Sequence, residues 1–340
     1  MTVSPDITPR FSVIIPNWNG LRHLEECLHS LASQTFRAFE VVLVDNASTD
    51  GSVQFVRERF PEVRIVALHE NHGFAGGVNA GIRASNGEYI VLLNNDTAVE
   101  SDWLMRLNLA ASENPDIWMF ASMLVNYYDR TRVDSAGDSL DLCLGPYKIG
   151  ELEPVQRHLD RRFIFGACGG GGGYKRELFD RIGLFDEDFF AYFEDTDLSF
   201  RANWSGFRCL SVPDAIIYHK VGGTSDADQA SRDRFDIMRR RNYIFLIIKN
   251  YPIEFLIRYL PFILASPCLK FLFNTMRGRI NVALTTQLKI AAGLPGMLIK
   301  RRWIMSDRQI SNNEMKTICT SKYGSWSAFL RKKLTWGARN

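Results

Sequence analysis

Several things are scarce in this chain, and each scarcity removes a class of protein. The six cysteines, at 27, 143, 168, 209, 268 and 319, include no CxxC pair and no finger spacing, so neither a zinc module nor a disulfide scaffold is encoded. The N-terminal stretch MTVSPDITPR lacks an apolar signal core; with the scattered cysteines it points to a reducing cytosolic setting in which the thiols are packing residues. In the apolar C-terminal region the longest charge-free run, 259–269, falls well short of the roughly 20 residues a spanning helix needs. No GxGxxG or GxxxxGKS/T occurs, which weakens dinucleotide and P-loop readings. Acids are scarce in one place: 237–340 hold 19 Lys and Arg against three acids, a net of +16, so the rest of the chain carries −13 beneath an overall charge of +3. An acidic body is joined to a basic tail.

What is present is a series of apolar runs that stop abruptly at Asn, Asp or His: IIPNWN at 14–19, VDNAST at 44–49, LLNND at 92–96, and FFAYFEDTDLSFR at 189–201 followed by YH at 218–219. Such a run reads as a buried parallel strand whose C-terminal edge opens onto a ligand crevice. Strands over 11–16, 39–44, 64–68 and 89–94 alternate with helices over 21–34, from the Ser48–Asp50 caps to Phe60, and over 74–85. The βαβαβαβ order predicts an α/β fold with a mostly parallel, Rossmann-like central sheet. Beyond Asp96 the spacing predicts a helix over 101–113, a strand over 117–125 and a loop-rich stretch to 162. The glycine run at 169–173 then leads into a short helix stopped by Gly183, a helix over 194–206, and short strands on either side of Pro213.

From about Arg232 the chain turns to long amphipathic segments, and 253–273 is interrupted by Glu254, Arg258, Pro261, Pro267 and Lys270. The expected organisation is a tail over 1–10, a catalytic domain over 11–230 and a basic amphipathic helical region over 231–340. That region is expected to lie on a membrane surface, with Lys300, Arg301, Arg302, Arg331, Lys332 and Lys333 toward anionic headgroups. Packing on the catalytic domain is the alternative. The aliphatic and aromatic content accompanying the charge argues against a nucleic-acid partner.

The strand ends offer chemistry. Asp96, after Asn94 and Asn95, can hold a hard divalent cation that bridges two phosphates, although alone it reads equally as a turn or cap residue. Asp45 suits the imide N–H of uracil or thymine, or an Asx-turn. NHGFAGGVNAG at 71–81 sets Asn71, Gly73 and Asn79 where a backbone could approach phosphate or ribose. Glu194, Asp195 and Asp197 crowd a helix start, where capping competes with a general-base role; Asp197 reads as structural, paired with Arg201 one turn later. Phe189, Phe190, Tyr192 and Phe193 wall a pocket or pack a core. His219 is a packed histidine or a metal ligand.

In these residues the chain resembles the family 2 glycosyltransferases of the GT-A fold, particularly the rhamnosyltransferase-like branch; the run GLFDEDFFAYFEDTDLSFRANWSGFRCLSVPDAIIYH at 183–219 is the most specific part, and the similarity spans about 11–250. The resemblance implies inverting transfer of one sugar from a dTDP- or UDP-sugar, most plausibly L-rhamnose from dTDP-rhamnose, to a lipid-linked glycan acceptor in cell-surface polysaccharide synthesis. It implies Mg²⁺ or Mn²⁺, and a peripheral location on the cytoplasmic face of the bacterial inner membrane. Asp195 matches the family's general base, Asp96 the end of its metal motif, and His219 a histidine at the metal or diphosphate. Pro16, Asn17, Asn19, Asp45, Asn71, Gly73, Asn79, Asn95, Asp96 and Arg241 fall on the donor side, with Asn242 beside Arg241; Glu194, Tyr192 and Phe190 fall on the acceptor side. The metal motif here is Asn94-Asn95-Asp96, one carboxylate instead of two. The glycine run replaces small and apolar residues, and either brings backbone to the acceptor or forms a mobile loop. No QxxRW motif of processive members is present, which favours single addition. A UDP-hexose or UDP-galactofuranose donor is the alternative within the family, and a catalytically silent nucleotide-sugar-binding subunit the alternative outside it. A sugar nucleotidyltransferase would need a Gly-rich basic loop after the first strand, where this chain has PNWNG.

Overall fold

The computed structural model describes residues 8–220 and 229–319, without the side chains of 266–270 and 272–274. Arg331, Lys332 and Lys333 lie outside the described residues.

The apolar runs form strands where expected. β1 (Phe11–Asn17), β2 (Phe39–Asp45), β3 (Arg64–Ala67) and β4 (Tyr89–Leu92) are joined by α1 (Leu21–Ala32), α2 (Ser52–Arg59) and α3 (Gly73–Ala84). They pair in parallel in the order β3–β2–β1–β4, with Asn17 opposite Asp45. Alternation along β1 explains its unbroken apolar sequence: Val13 and Ile15 face a core with Leu24, Leu28 and Trp103, whereas Ile14 faces Val78 and Ile82 on the other side.

Past β4 come β5 (Thr97–Val99), α4 (Trp103–Glu113), β6 (Met119–Asn126), β7 (Val133–Ser135), the hairpin of β8 (Asp138–Asp141) and β9 (Gly145–Lys148), and β10 (Phe163–Ile164). They are followed by β11 (Gly172–Lys175), α5 (Arg176–Ile182), α6 (Glu194–Trp204) and β12 (Cys209–His219). The sheet becomes mixed here, because β11 inserts antiparallel between β4 and β6. The glycine run is therefore no mobile loop over its second half. At Gly171 an added Cβ would lie 2.7 Å from the Leu124 side chain and 2.8 Å from that of Ile217, so the sheet admits backbone alone. β12 is one strand instead of the expected two; its register shifts between Val212 and Ile216, around Pro213, which has no N–H to give the ladder.

The C-terminal region forms α7 (Gln229–Asn250), α8 (Ile253–Met276), α9 (Ile280–Ser306) and α10 (Asn312–Ile318), and α8 runs unbroken through Pro261 and Pro267. α7 packs along α9, and Phe245, Tyr251, Phe255, Met297 and Met315 share a core with Phe200 and Trp204 of α6. Polar contacts reinforce the joint. Asp197 accepts from Arg201 Nε at 2.9 Å, as its spacing predicts, and also from Lys249 Nζ at 2.8 Å and Asn250 Nδ2 at 2.9 Å. Lys249 and Lys300 both donate to Asp186, and their charges overcome its burial to hold its carboxyl well below the usual range. The outer side of α8 and α9 exposes Ile257, Leu260, Leu264, Leu288, Ile299 and Trp303. By length and composition α9 is the one helix among the described residues long and apolar enough to cross a membrane, although it contains Pro295 and packs on α7.

Candidate active site

The C-terminal ends of β1, β2 and β4 meet through one buried amide. Asn17 Nδ2 donates to Asp45 Oδ1 at 3.1 Å and to Ser48 Oγ at 3.2 Å, while its Oδ1 accepts from Asn95 Nδ2 at 2.8 Å. Asp45 Oδ2 accepts the Ser48 N–H at 2.9 Å, in an Asx-turn that still leaves lone pairs on the carboxylate. Pro16 is half-buried opposite Val44, and Asn19, at φ 51°, accepts the Thr49 N–H at 2.8 Å. Donor-side candidates from three strand ends thus form one connected edge.

Asp96 and His219 lie together because β5 pairs antiparallel with the end of β12. Asp96 Oδ2 is 3.5 Å from His219 Nε2, and His219 Nδ1 bonds Asp134 Oδ2 at 2.9 Å. Lys148 Nζ in turn donates to Asp134 Oδ1 at 2.8 Å. Burial alone would push the imidazolium down, but the Asp134 and Asp96 carboxylates more than reverse it and raise the His219 pKa to about 9. Among the described residues no group of three or more His, Cys, Asp or Glu converges to hold a metal. A carboxylate and an imidazole fixed by a second carboxylate are a two-donor set that fits a divalent cation whose other ligands are phosphate oxygens and water. Neither Asp134 nor Lys148 stands out in the sequence, since both fall in the stretch without periodicity.

The glycine run connects this edge to α6. The Gly169 N–H donates to Asp195 Oδ2 at 2.9 Å, while a Cβ on Gly170 would lie 3.0 Å from Asn94 Nδ2. Asp195 is partly exposed at the helix start, and its Oδ1 accepts the Thr196 N–H at 2.7 Å. Desolvation lifts its carboxyl above the usual range, partly offset by those two N–H groups. Glu194 beside it is 5% exposed, its Oε2 has no hydrogen-bond partner, and burial with the Asp195 charge raises its pKa strongly. Asp138, absent from the sequence candidates, is raised by burial and by the nearby Asp195. Cys168, Cys209 and Cys27 are free, with thiols pushed up by burial, so none is a poised nucleophile.

The segment before α6 is strained. Phe190, Tyr192 and Phe193 have φ of 63°, 71° and 71°, a left-handed conformation that side-chain-bearing residues rarely adopt. Asn242, fully buried on α7, holds it by donating Nδ2 to the carbonyls of Phe189, Ala191 and Tyr192 at 2.8, 2.8 and 2.9 Å. Arg241 donates to the Asp188 carbonyl at 2.7 Å, so it too grips this segment. Tyr192 packs edge-on to Phe235 and beneath Arg239. From the other side, the Asn71 side chain accepts the Gly73 N–H at 2.8 Å and the Phe190 carbonyl accepts the Ala75 N–H at 3.1 Å. A Cβ on Gly73 would collide with that carbonyl. Two N–H groups at the start of α3 are thereby used within the protein. Asn79 is enclosed: its amide exchanges hydrogen bonds with the Phe185 backbone and donates to Glu187, which sets it apart from the donor-side edge.

Residues 12–183 match Glycosyl transferase family 2. The chain is 30% identical over 270 residues to the N-acetylglucosaminyl-diphospho-decaprenol L-rhamnosyltransferase of Mycobacterium tuberculosis, an alignment covering 71% of this chain and 84% of that one. Two solved structures share the fold. The mannosyltransferase PcManGT of Pyrobaculum calidifontis, in complex with GDP-Man and Mn²⁺, has a TM-score of 0.51 at 20% identity, covering 89% of this chain and 87% of that chain. S. aureus TarS 1–349, in complex with UDP-GlcNAc, has a TM-score of 0.54 at 19% identity, covering 88% and 84%. The architecture is the GT-A fold that the family resemblance implies.

Proposed function

The chain belongs to glycosyl transferase family 2, in its rhamnosyltransferase-like branch, and we propose that it transfers a single L-rhamnose from dTDP-rhamnose, with inversion, to a lipid-linked glycan acceptor in cell-surface polysaccharide synthesis. The observation that carries this reading is the glycine run, which bonds Asp195 at Gly169 and meets Asn94 at Gly170, so that the base and the start of the Asn94-Asn95-Asp96 edge are joined by two adjacent residues. The lipid-linked acceptor is drawn from the mycobacterial relative, whose name specifies one.

In a single displacement the acceptor hydroxyl oxygen bonds the anomeric carbon as the bond to the diphosphate oxygen breaks, and inversion follows. Asp195 accepts the hydroxyl proton; its raised pKa makes it a stronger base than an ordinary aspartate, and the Gly169 and Thr196 N–H groups keep its oxygens oriented. Asp45, held by Asn17 and Ser48, accepts the imide N–H of the thymine or uracil base. Asp96 and His219 would hold Mg²⁺ or Mn²⁺, which supplies charge neutralisation on the departing diphosphate. The exposed apolar side of α8 and α9 supports a peripheral position on the cytoplasmic face of the membrane, where a lipid-linked acceptor is confined.

Thermal stabilisation by dTDP-rhamnose, UDP-sugars and GDP-sugars, with and without Mn²⁺, tests the donor. A ligand at 100 times its Kd should add about 2.7 kcal/mol. The expected result is a Mn²⁺-dependent shift with dTDP-rhamnose; a shift with UDP-sugars alone would replace rhamnose by a UDP-linked donor. Asp195→Asn is expected to keep that shift and lose transfer by about 10²–10⁴-fold. Lost donor binding in Asp195→Asn would remove it as the base.

A further inference from the structure

A cavity of about 330 Å³ lies among the β8–β9 turn, α7, α8 and α9, and Phe193 forms part of its wall. We propose that it binds the diphosphate and first isoprenoid units of the lipid-linked acceptor, an assignment that rests on the transferase reading above. Three observations support it.

The lining is divided by chemistry. Leu144, Pro146, Ile244, Phe271, Ala283 and Ile290 are apolar, whereas Arg239 and Arg240 present guanidinium groups along α7. Planar guanidinium groups suit paired phosphates, and an apolar wall suits a prenyl chain. Asp236, the acid in the lining, is matched already: Arg240 Nε donates to it at 2.9 Å, and Arg279 Nη2 lies 4.0 Å away. Arg239 is exposed, and its contact among the described residues is the face of Tyr192 at 5.5 Å. It is the cation left to meet an anion.

The position also fits. Phe193 lines the cavity and immediately precedes Glu194 and Asp195. Two residues of chain span at most about 7 Å, so the backbone that carries the base begins within one extended dipeptide of the cavity wall. At the other end, Leu284 and Leu288 are exposed beside Ala283 and Gln287 on α9, giving a prenyl chain an apolar exit toward a membrane.

The shape is built from close backbone approaches. A Cβ on Gly145 would lie 2.7 Å from the Tyr243 ring, so the hairpin turn can rest on that ring only as glycine, at φ 91°. Tyr243 itself is buried enough for its pKa to be pushed up to about 12, and it forms the floor under Phe193.

The test is isothermal titration of the full chain with farnesyl diphosphate, against pyrophosphate and farnesol. Farnesyl diphosphate is expected to bind saturably and at least ten-fold more tightly than either fragment. Arg239→Ala, at an exposed side chain, should weaken it at least ten-fold, and Ala283→Phe, which fills the cavity, should abolish it. Binding no tighter than pyrophosphate, equal binding by wild type and a folded Arg239→Ala, or displacement by nucleotide-sugar would overturn the assignment. Nucleotide-sugar stabilisation on the same samples separates the two readings: its absence from the wild type counts against the transferase, whereas its presence alongside failed farnesyl diphosphate binding counts against the cavity alone.

Discussion

On the proposed reading His219 would serve as a metal ligand, and the group that holds its ring is Asp134. Its Oδ2 takes the Nδ1–H of His219, which leaves Nε2 toward Asp96, and Lys148 steadies the same carboxylate. Carboxylate partners of ligating histidines are typically worth 10–100-fold in metal affinity. Asp134→Asn is therefore expected to raise the Mn²⁺ concentration needed for donor binding by about that factor, while metal-free nucleotide binding stays as it was; an unchanged Mn²⁺ requirement would separate Asp134 from the site. Residues of this kind divide by legibility. Asp45 and His219 end apolar strands, so their positions follow from the sheet, whereas Asp96 lies in the turn between β4 and β5 instead of at the expected strand end. Asp134 acts because β7 folds back on β6, and nothing periodic in its neighbourhood announces that pairing. Asn79 was misleading for the converse reason, since a polar residue in a glycine-rich segment looks exposed until Phe185 closes over it.

At the scale of elements, the segment before α6 gathers three of the positive-φ side-chain-bearing residues found among the described residues. Three left-handed residues, each costing of order 1–3 kcal/mol, persist because α3 presses from one side through Gly73 and α7 grips from the other through Asn242. Asn242→Leu strands the Ala191 and Tyr192 carbonyls, since the Phe189 carbonyl keeps the Ala191 N–H, and is expected to cost about 3 kcal/mol. Its sharper signature is kinetic: the start of α6 loses its fixed approach, so kcat should fall while donor affinity holds. Normal turnover in a destabilised Asn242→Leu would show that Asp195 is positioned without this segment. The alternating strands and helices up to β4 were readable because β1, β2 and β4 are largely buried on both faces, which makes their sequences continuous apolar runs. β11 was not, because it opens on two glycines that carry no apolar signal; just before it, at Gly171, the Leu124 and Ile217 side chains leave no room for a Cβ. The prolines at 261 and 267 misled in the opposite direction, as α8 accommodates both.

For the molecule as a whole, the basic C-terminal region turns part of its charge inward: Lys300 bonds Asp186 and Asp188 and Arg301 the Ile248 carbonyl, so neither faces headgroups as expected. Its inner side is core: Phe245, Tyr251, Phe255 and Met297 pack on Phe200 and Trp204, and Asp197 and Lys249 pair with 0% and 3% of their side chains exposed. Its outer side leaves Leu288 71% and Trp303 74% exposed, beside Lys289 and Arg302. An apolar face flanked by cations fits the interface of an anionic bilayer. A spanning α9 would have to pull Ala283, Thr286 and Met297 away from the protein and so break the packing. Replacing both outer residues, Leu288→Ser with Trp303→Ser, removes apolar area worth about 1.5–3 kcal/mol for each fully buried side chain. Binding to anionic vesicles in a sedimentation assay is then expected to fall at least ten-fold, with the circular dichroism spectrum and melting temperature retained because neither side chain packs inward. Undiminished binding would place the membrane contact elsewhere on the chain, and a lowered melting temperature would mean that this face is covered by protein instead of lipid.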